Sequence, residues 1–123
     1  MLKTDRFPGG KHFAVTFSYD DGDKADRRLV EIFNNYGMKA TFNLIPSRFD
    51  GETVVSSGEV SSLYAGHEIA CHTYSHPHLE RLPLTGQVRE ISLCRAALEQ
   101  LSAGLSAEWQ LLTAGKTAIP SPR

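Results

Sequence analysis

The sequence has few of the features that place a protein in a disulfide framework, in a membrane or on nucleic acid. Its 123 residues include only two cysteines, neither in a Cys-x-x-Cys pair, so both are expected to be small buried apolar side chains. No apolar run approaches the ~20 residues that span a bilayer. The formal net charge is −1 and the basic residues are scattered. This gives no electrostatic reason to expect binding to nucleic acid or to an anionic membrane.

The two ends of the chain are also poor in structural signals. Residues 1–11 form a polar lead-in without the apolar core of a signal peptide, so the chain as written is expected to be cytoplasmic. Residues 105–123 have few strong apolar anchors, which predicts a poorly ordered tail. Residues 12–104 between them are long enough for one domain with its own core. The composition gives no indication of an oligomeric state.

Strand-like and helical patterns alternate from residue 12 onward. The run 12–18 is rich in aromatic and β-branched residues and alternates poorly, as expected of a strand that is covered on both faces. Further strands are predicted at residues 39–45 and 67–72. Because short joints link these strands through helices, the strands are expected to be parallel. The predicted fold class is therefore α/β, with about three βα units.

Three helical segments are predicted to connect and cover these strands. They span residues 25–36, 58–64 and 85–102, with Thr85 as the cap of the last one. Asp23 is a plausible N-cap for the first helix, and Gly37 is expected to end it. The expected buried faces are Leu29, Ile32, Phe33 and Tyr36 in the first helix, Val60, Leu63 and Tyr64 in the second, and Val88, Ile91, Cys94, Leu98 and Leu101 in the third.

Two clusters of chemically active side chains follow predicted strands. Asp20 and Asp21 stand in the sequence Ser-Tyr-Asp-Asp-Gly after the first strand, and His72 and His76 follow the third. Taken alone, an Asp-Asp-Gly turn is more often a solvated helix cap, and two loop histidines are as often exposed as bound to a metal. An EF-hand is excluded because Gly22 stands at the wrong offset and no Glu closes a loop of about twelve residues.

The two clusters are more informative together, because the carboxyl ends of parallel strands meet at one edge of a sheet. One carboxylate and two imidazoles would make a three-ligand metal site with positions open for water and substrate. The other carboxylate would be free to act as a base. Pro77 disfavours a helical conformation at His76, so the imidazoles are expected on a turn. The remaining histidines, His12, His67 and His78, are expected to have structural or surface roles.

These motifs resemble those of a known family. Ser-Tyr-Asp-Asp-Gly followed by His-Thr-x-x-His-Pro is similar to the first two motifs of the polysaccharide deacetylase family, the NodB-homology or carbohydrate esterase family 4 domain. The runs Lys-Ala-Thr-Phe-Asn-Leu at 39–44 and Gly-His-Glu-Ile-Ala at 66–70 also resemble the family pattern, as does His-Leu at 78–79. The resemblance extends over residues 13–101 and implies a partial (β/α) barrel.

The resemblance implies a role for each matching residue. Asp20 matches the general base, whereas Asp21, His72 and His76 match the metal ligands. Thr73 matches the hydroxyl residue that steadies the loop carrying these histidines, residues 72–78, here called the histidine loop. The implied cofactor is a divalent ion, most often zinc. The implied reaction is hydrolysis of N-acetyl groups, and sometimes O-acetyl groups, on a carbohydrate polymer. Members of the family are often exported, which contrasts with the cytoplasmic expectation above.

The resemblance is confined to about the first half of the family's domain. Later family motifs supply an Arg, an aromatic-Pro pair, an Asp-Trp pair and a Leu-x-His whose histidine protonates the leaving amine. None of them appears in residues 102–123. The chain is therefore expected to be a truncated or frame-shifted product with little activity alone. The alternative is a catalytically inactive remnant that binds metal or carbohydrate.

Overall fold

The computed structural model of the chain describes residues 6–102. Within them lie three parallel strands and three α-helices: β1 Ser18–Asp20, α1 Asp26–Asn35, β2 Thr41–Leu44, α2 Val60–Leu63, β3 Glu68–Cys71 and α3 Leu84–Ser102. Short 3-10 turns occur at Pro8–Gly10, Pro46–Arg48, Ser57–Glu59 and Leu79–Arg81. The predicted α/β class with parallel strands is confirmed. The predicted tail, 105–123, lies outside the described residues, as do residues 1–5 of the lead-in.

The sheet has the order β1-β2-β3, so β2 is central and both of its neighbours run parallel to it. The pairing continues one residue past the outer strands. The Asp21 N–H donates to the Asn43 carbonyl at 2.9 Å, and the His72 N–H donates to the Leu44 carbonyl at 3.0 Å. The turns that follow β1 and β3 therefore leave the same edge of the sheet, on either side of β2.

The core lies between this sheet and the helices. In β2, Phe42 and Leu44 are fully buried, whereas Thr41 and Asn43, which alternate with them, are only partly buried, as the geometry of a strand requires. The Phe42 ring packs against Tyr64 with 4.7 Å between ring centroids. The buried apolar cluster consists of Val30, Phe33, Ala40, Phe42, Leu44, Val55, Val60, Tyr64, Ile69, Cys94 and Leu98. Fully burying one large apolar side chain contributes about 1.5–3 kcal/mol.

The first strand is shorter than predicted and less covered. β1 begins at Ser18, and residues 12–17 extend it only through a hydrogen bond from the Thr41 N–H to the Phe17 carbonyl. Phe13 is 87% exposed and Val15 is 77% exposed. The prediction of a strand at 12–18 with both faces covered is therefore wrong. Composition indicates an extended segment, but β1 is an edge strand in the described sheet and has only β2 beside it.

Helix α1 begins and ends within one residue of the predicted limits. The Gly37 N–H donates to the Asn34 carbonyl at 3.1 Å and the Met38 N–H donates to the Phe33 carbonyl at 2.8 Å. With Gly37 in the left-handed region at φ 63°, these bonds form a Schellman motif, which confirms Gly37 as the residue that ends the helix. The prediction of Asp23 as the N-cap is wrong, because the N-cap of α1 is Ala25, without a side-chain capping bond. Asp23 instead accepts a hydrogen bond from the Ala25 N–H at 2.8 Å, in the turn before the helix.

The predicted helix faces are wrong at four positions. Tyr36 is 75% exposed, whereas Val30, which was not predicted, is buried beside Phe33. In α3, Cys94 and Leu98 are buried but Val88 and Ile91 are exposed. The periodicity of apolar residues identifies the stripe along one face of a helix. It does not show how much of that stripe a neighbouring element covers.

Two predictions about single residues also fail. Thr85 is not the cap of α3, because that helix begins at Leu84. Cys71 is exposed at the end of β3, whereas Cys94 is buried as expected, and both thiols are free. Among the helices of residues 6–102, none combines the length and apolar character that crossing a membrane requires.

His67 has the structural role expected of it. The ring is buried, and its Nδ1 accepts a hydrogen bond from the Ala40 N–H at 3.2 Å. The other nitrogen, Nε2, then carries the proton and donates to the Asn34 side-chain oxygen at 3.1 Å. Burial lowers the pKa of His67, and the charge on Lys39 lowers it further. The neutral imidazole therefore connects the end of α1 to β2 and β3.

Gly22 provides a test of the packing behind the turn that follows β1. Its φ is +72°, and a Cβ at this position would lie 3.1 Å from Leu44 Cδ2. Gly22→Ala is therefore expected to lower the free energy of unfolding by about 1–3 kcal/mol, measured by urea denaturation.

Gly58→Ala is the matched control for this substitution. A Cβ on Gly58 would meet no heavy atom within 4 Å, and the φ of Gly58 is not left-handed. The change in its free energy of unfolding is therefore expected to stay within about 0.5 kcal/mol. Equal effects of the two substitutions would contradict the account of Gly22.

Candidate metal centre

The turn after β1 is built on left-handed backbone. Asp21 has φ 76° and Gly22 has φ 72°, which redirects the chain from the sheet edge toward α1. The Gly22 carbonyl accepts a hydrogen bond from the Val55 N–H at 3.0 Å, and the Lys24 N–H donates to the Thr53 carbonyl at 2.9 Å. The loop before α2 therefore holds the turn from its far side.

A buried acidic side chain lies on the core side of the same turn. Asp26, in the first turn of α1, is only 5% exposed and accepts a hydrogen bond from the Tyr64 hydroxyl at 2.7 Å. Burial raises the pKa of Asp26, and the hydrogen bond from Tyr64 opposes part of that rise. Burial and the Asp26 carboxyl in turn raise the pKa of Tyr64. The Tyr64 hydroxyl also lies 3.8 Å from where a Gly22 Cβ would stand.

The loop after β3 has an equally unusual backbone. Thr73 and His76 have φ values of 62° and 59°. The described chain has four non-glycine residues with positive φ: Asp21 follows β1, Asp50 lies in the loop after β2, and Thr73 and His76 follow β3. Each such residue costs on the order of 1–3 kcal/mol, and strain of this kind clusters at functional sites.

The side chains of Asp21, His72 and His76 converge at this edge. Their potential ligand atoms all lie within 4.8 Å of one another. His72 Nε2 is 3.5 Å from Asp21 Oδ1, and the two imidazole centroids are 4.8 Å apart. Asp21 and His72 are partly buried and His76 is exposed. The turns after β1 and β3 thus bring together three residues that the sequence singled out.

The chemistry of this cluster fits a divalent cation. Asp21 Oδ1 is buried and has no hydrogen-bond partner among the described residues. Arg48 approaches the other oxygen, Oδ2, at 3.8 Å. A buried carboxylate oxygen without a donor is costly unless a positive charge faces it. One carboxylate oxygen and two imidazole nitrogens form a donor set that suits zinc and other first-row divalent ions.

Asp20 stands apart from the three-residue cluster. Its side chain is exposed, and its Oδ1 accepts a hydrogen bond from the Asn43 side-chain amide at 2.8 Å. Asn43 lies opposite Asp20 in the β1–β2 register, and its amide also donates to Ser18 Oγ at 2.9 Å. Asn43 was not predicted as a site residue, although a polar residue near the end of an apolar strand was a signal that could have identified it.

Thr73 has the contact expected of a residue that steadies the histidine loop, because its Oγ1 accepts a hydrogen bond from the His76 N–H at 3.0 Å. The other histidines do not join the cluster. His67 is enclosed in the core as described above, and His12 is exposed. The exposed His78 lies 3.2 Å from Glu80.

Comparison with known proteins gives a family match over most of the chain. Residues 8–117 match the family model described as polysaccharide deacetylase. Over 91 residues the chain is 32% identical to a probable peptidoglycan-N-acetylglucosamine deacetylase from Arthroderma benhamiae. That alignment covers 73% of this chain and 21% of the fungal protein.

Solved structures of deacetylases have a similar fold. The Streptococcus pyogenes deacetylase PplD, determined in complex with acetate, superimposes with a TM-score of 0.72 at 20% identity, covering 92% of this chain and 55% of that one. The peptidoglycan deacetylase PdaC from Bacillus subtilis gives a TM-score of 0.57 at 23% identity, covering 77% and 52%. The chain thus spans about half the length of these structures and about a fifth of the fungal relative. On the match over residues 8–117, the chain belongs to the polysaccharide deacetylase family.

Proposed function

We propose that this chain carries the metal-binding and general-base side of a deacetylase site that acts on acetylated carbohydrate polymers. The observation that supports this most strongly is the convergence of Asp21, His72 and His76, whose ligand atoms lie within 4.8 Å of one another. Membership of the deacetylase family supports the same reading.

Asp21, His72 and His76 would hold the cation, and zinc is the ion we propose. A cation bound there supplies a Lewis acid, which polarises the acetyl carbonyl and makes water more acidic. The chain contributes the geometry: Asp21 and His72 follow the strands on opposite sides of β2, and His76 is the solvent-exposed member of the cluster. The cluster is therefore open where a polymer could approach.

Asp20 is the proposed general base. An amide is a poor electrophile and water is a poor nucleophile, so removing a proton from the attacking water accelerates the reaction. The Asn43 amide holds Asp20 Oδ1 at 2.8 Å, which fixes the carboxylate while its exposed side remains open to water. The two carboxylates thus have different proposed roles. Asp20, fixed by the Asn43 amide, is the base, and Asp21, beside two imidazoles, is a metal ligand.

The proposed substrate class is a polymer with N-acetylated sugar units. The fungal relative is named for peptidoglycan N-acetylglucosamine, and we extend that class of sugar to this chain. A remnant that binds metal or carbohydrate without catalysis is the competing function. The two proposals differ in whether metal-loaded chain hydrolyses an acetyl group.

Zinc binding is the first test, by competition with a chromophoric chelator. Replacing Asp21, His72 or His76 singly by Ala is expected to weaken zinc affinity by at least about 100-fold, because each substitution removes a ligand. His78→Ala removes an exposed imidazole outside the cluster and is expected to leave affinity unchanged. Zinc affinity of wild-type strength in a triple Asp21, His72 and His76 alanine variant would contradict the proposal.

Acetyl transfer to water is the second test. We choose an aryl acetate because its phenolate leaves without being protonated, so turnover requires only the base and the cation. Zinc-loaded chain is expected to hydrolyse the ester faster than the metal-free chain does. Asp20→Asn is expected to lower that rate by about 100-fold or more while leaving zinc affinity unchanged.

The control for this test is Glu31→Gln, which neutralises an exposed carboxylate on α1 away from the site. It is expected to keep the wild-type rate. Hydrolysis no faster than that caused by the same concentration of free zinc would support the non-catalytic remnant instead.

A further inference from the structure

The side chain of Glu90 on helix α3 holds the histidine loop. Ser75 lies between the proposed ligands His72 and His76. Its N–H donates to Glu90 Oε2 at 2.8 Å, and its hydroxyl donates to Glu90 Oε1 at 2.9 Å. Both oxygens of one carboxylate therefore hold one residue of the loop. Two charge-assisted hydrogen bonds of this kind fix orientation as well as position.

Glu90 projects from a helix that is itself fixed in the core. Cys94 and Leu98, one and two turns further along α3, are buried. The Cys94 thiol also donates to the Leu44 carbonyl at 3.7 Å, the same carbonyl that accepts the His72 N–H. The position of the Glu90 carboxylate is therefore set relative to the end of β2, where the proposed ligands converge.

The other contacts of the loop leave a specific task for Glu90. The hydrogen bond between Thr73 and His76 is internal to the loop, so it fixes loop shape but not loop position. Tyr74 supplies uncharged attachments to the rest of the fold: its carbonyl accepts a hydrogen bond from the Ser47 N–H at 3.1 Å, and its side chain packs against the apolar core. Glu90 adds a charged, two-point attachment on the His76 side of the loop.

We propose that Glu90 is a positioning residue for the metal site. Its two hydrogen bonds with Ser75 set the position of His76 relative to Asp21 and His72. This inference rests on the proposed function, because it assumes that these residues bind a cation. Thr73 and His76 have left-handed backbone conformations that a free loop would leave. Glu90 keeps the loop in the binding conformation before the ion arrives, which raises affinity through preorganisation.

The test is zinc affinity of the full chain with Glu90→Ala and Glu90→Gln, by chelator competition. Glu90→Ala removes both hydrogen bonds and is expected to weaken zinc binding by about 10-fold or more, within the range for residues that orient metal ligands. Glu90→Gln retains one acceptor oxygen and is expected to give an intermediate loss. Glu99→Ala is the control, because Glu99 lies on the same helix and pairs with Arg95 at 2.7 Å; its zinc affinity is expected to match wild type.

A double substitution separates positioning from simple stabilisation of the fold. Ser75→Ala keeps its N–H and loses only the hydroxyl bond, so in the Glu90→Ala background it is expected to cause no further loss of affinity. Additive losses would contradict the proposal. The proposal would also be contradicted if the Glu90→Ala variant lowered the Tm of the metal-free chain but bound zinc with wild-type affinity. If the wild-type chain binds no zinc, the proposed function fails; if it binds zinc and Glu90→Ala binds equally well, only this inference fails.

Discussion

The parallel pairing at the end of β2 is the constraint on which the rest of the site depends. The Asn43 and Leu44 carbonyls accept hydrogen bonds from Asp21 and His72, the first residues beyond β1 and β3. Because the strands are parallel and β2 lies between them, both turns must begin at one edge of the sheet. The same strand holds Asp20 through the Asn43 side chain. One four-residue strand therefore sets the positions of the proposed base and of two proposed ligands.

The residues beyond that edge have irregular backbone conformations, which contacts with the rest of the fold must stabilise. Asp21, Thr73 and His76 all occupy the left-handed region, at a cost on the order of 1–3 kcal/mol each. Support comes from below the first turn, where Gly22 packs on Leu44, and from α3, where Glu90 holds Ser75. Asp21 Oδ1 is left without a hydrogen-bond partner among the described residues. These features are consistent with a site whose geometry is prepared for a cation at the expense of stability.

Sequence patterns predicted the structural features that depend on residues close together in the chain. Gly37 ends α1 as its backbone freedom suggested, and the two motifs after apolar strands meet as parallel pairing requires. Contacts between distant segments could not be predicted in the same way. Nothing in the local pattern links Ser75 to Glu90, because a loop and a 3-10 turn separate them. The exposure of Val15 and Ile91 was missed because apolar composition does not reveal which element covers a face.

Asp21, His72 and His76 are proposed to bind a divalent cation together. X-ray absorption spectroscopy of the zinc-loaded chain tests this most directly, because it identifies the atoms around the ion. We expect only nitrogen and oxygen neighbours at about 2.0–2.1 Å, with the multiple-scattering signature of two imidazoles. Cys71 precedes His72 and is exposed, so it offers a competing ligand. A sulfur neighbour at about 2.3 Å, or a spectrum without two imidazoles, would show that these three residues are not the ligands.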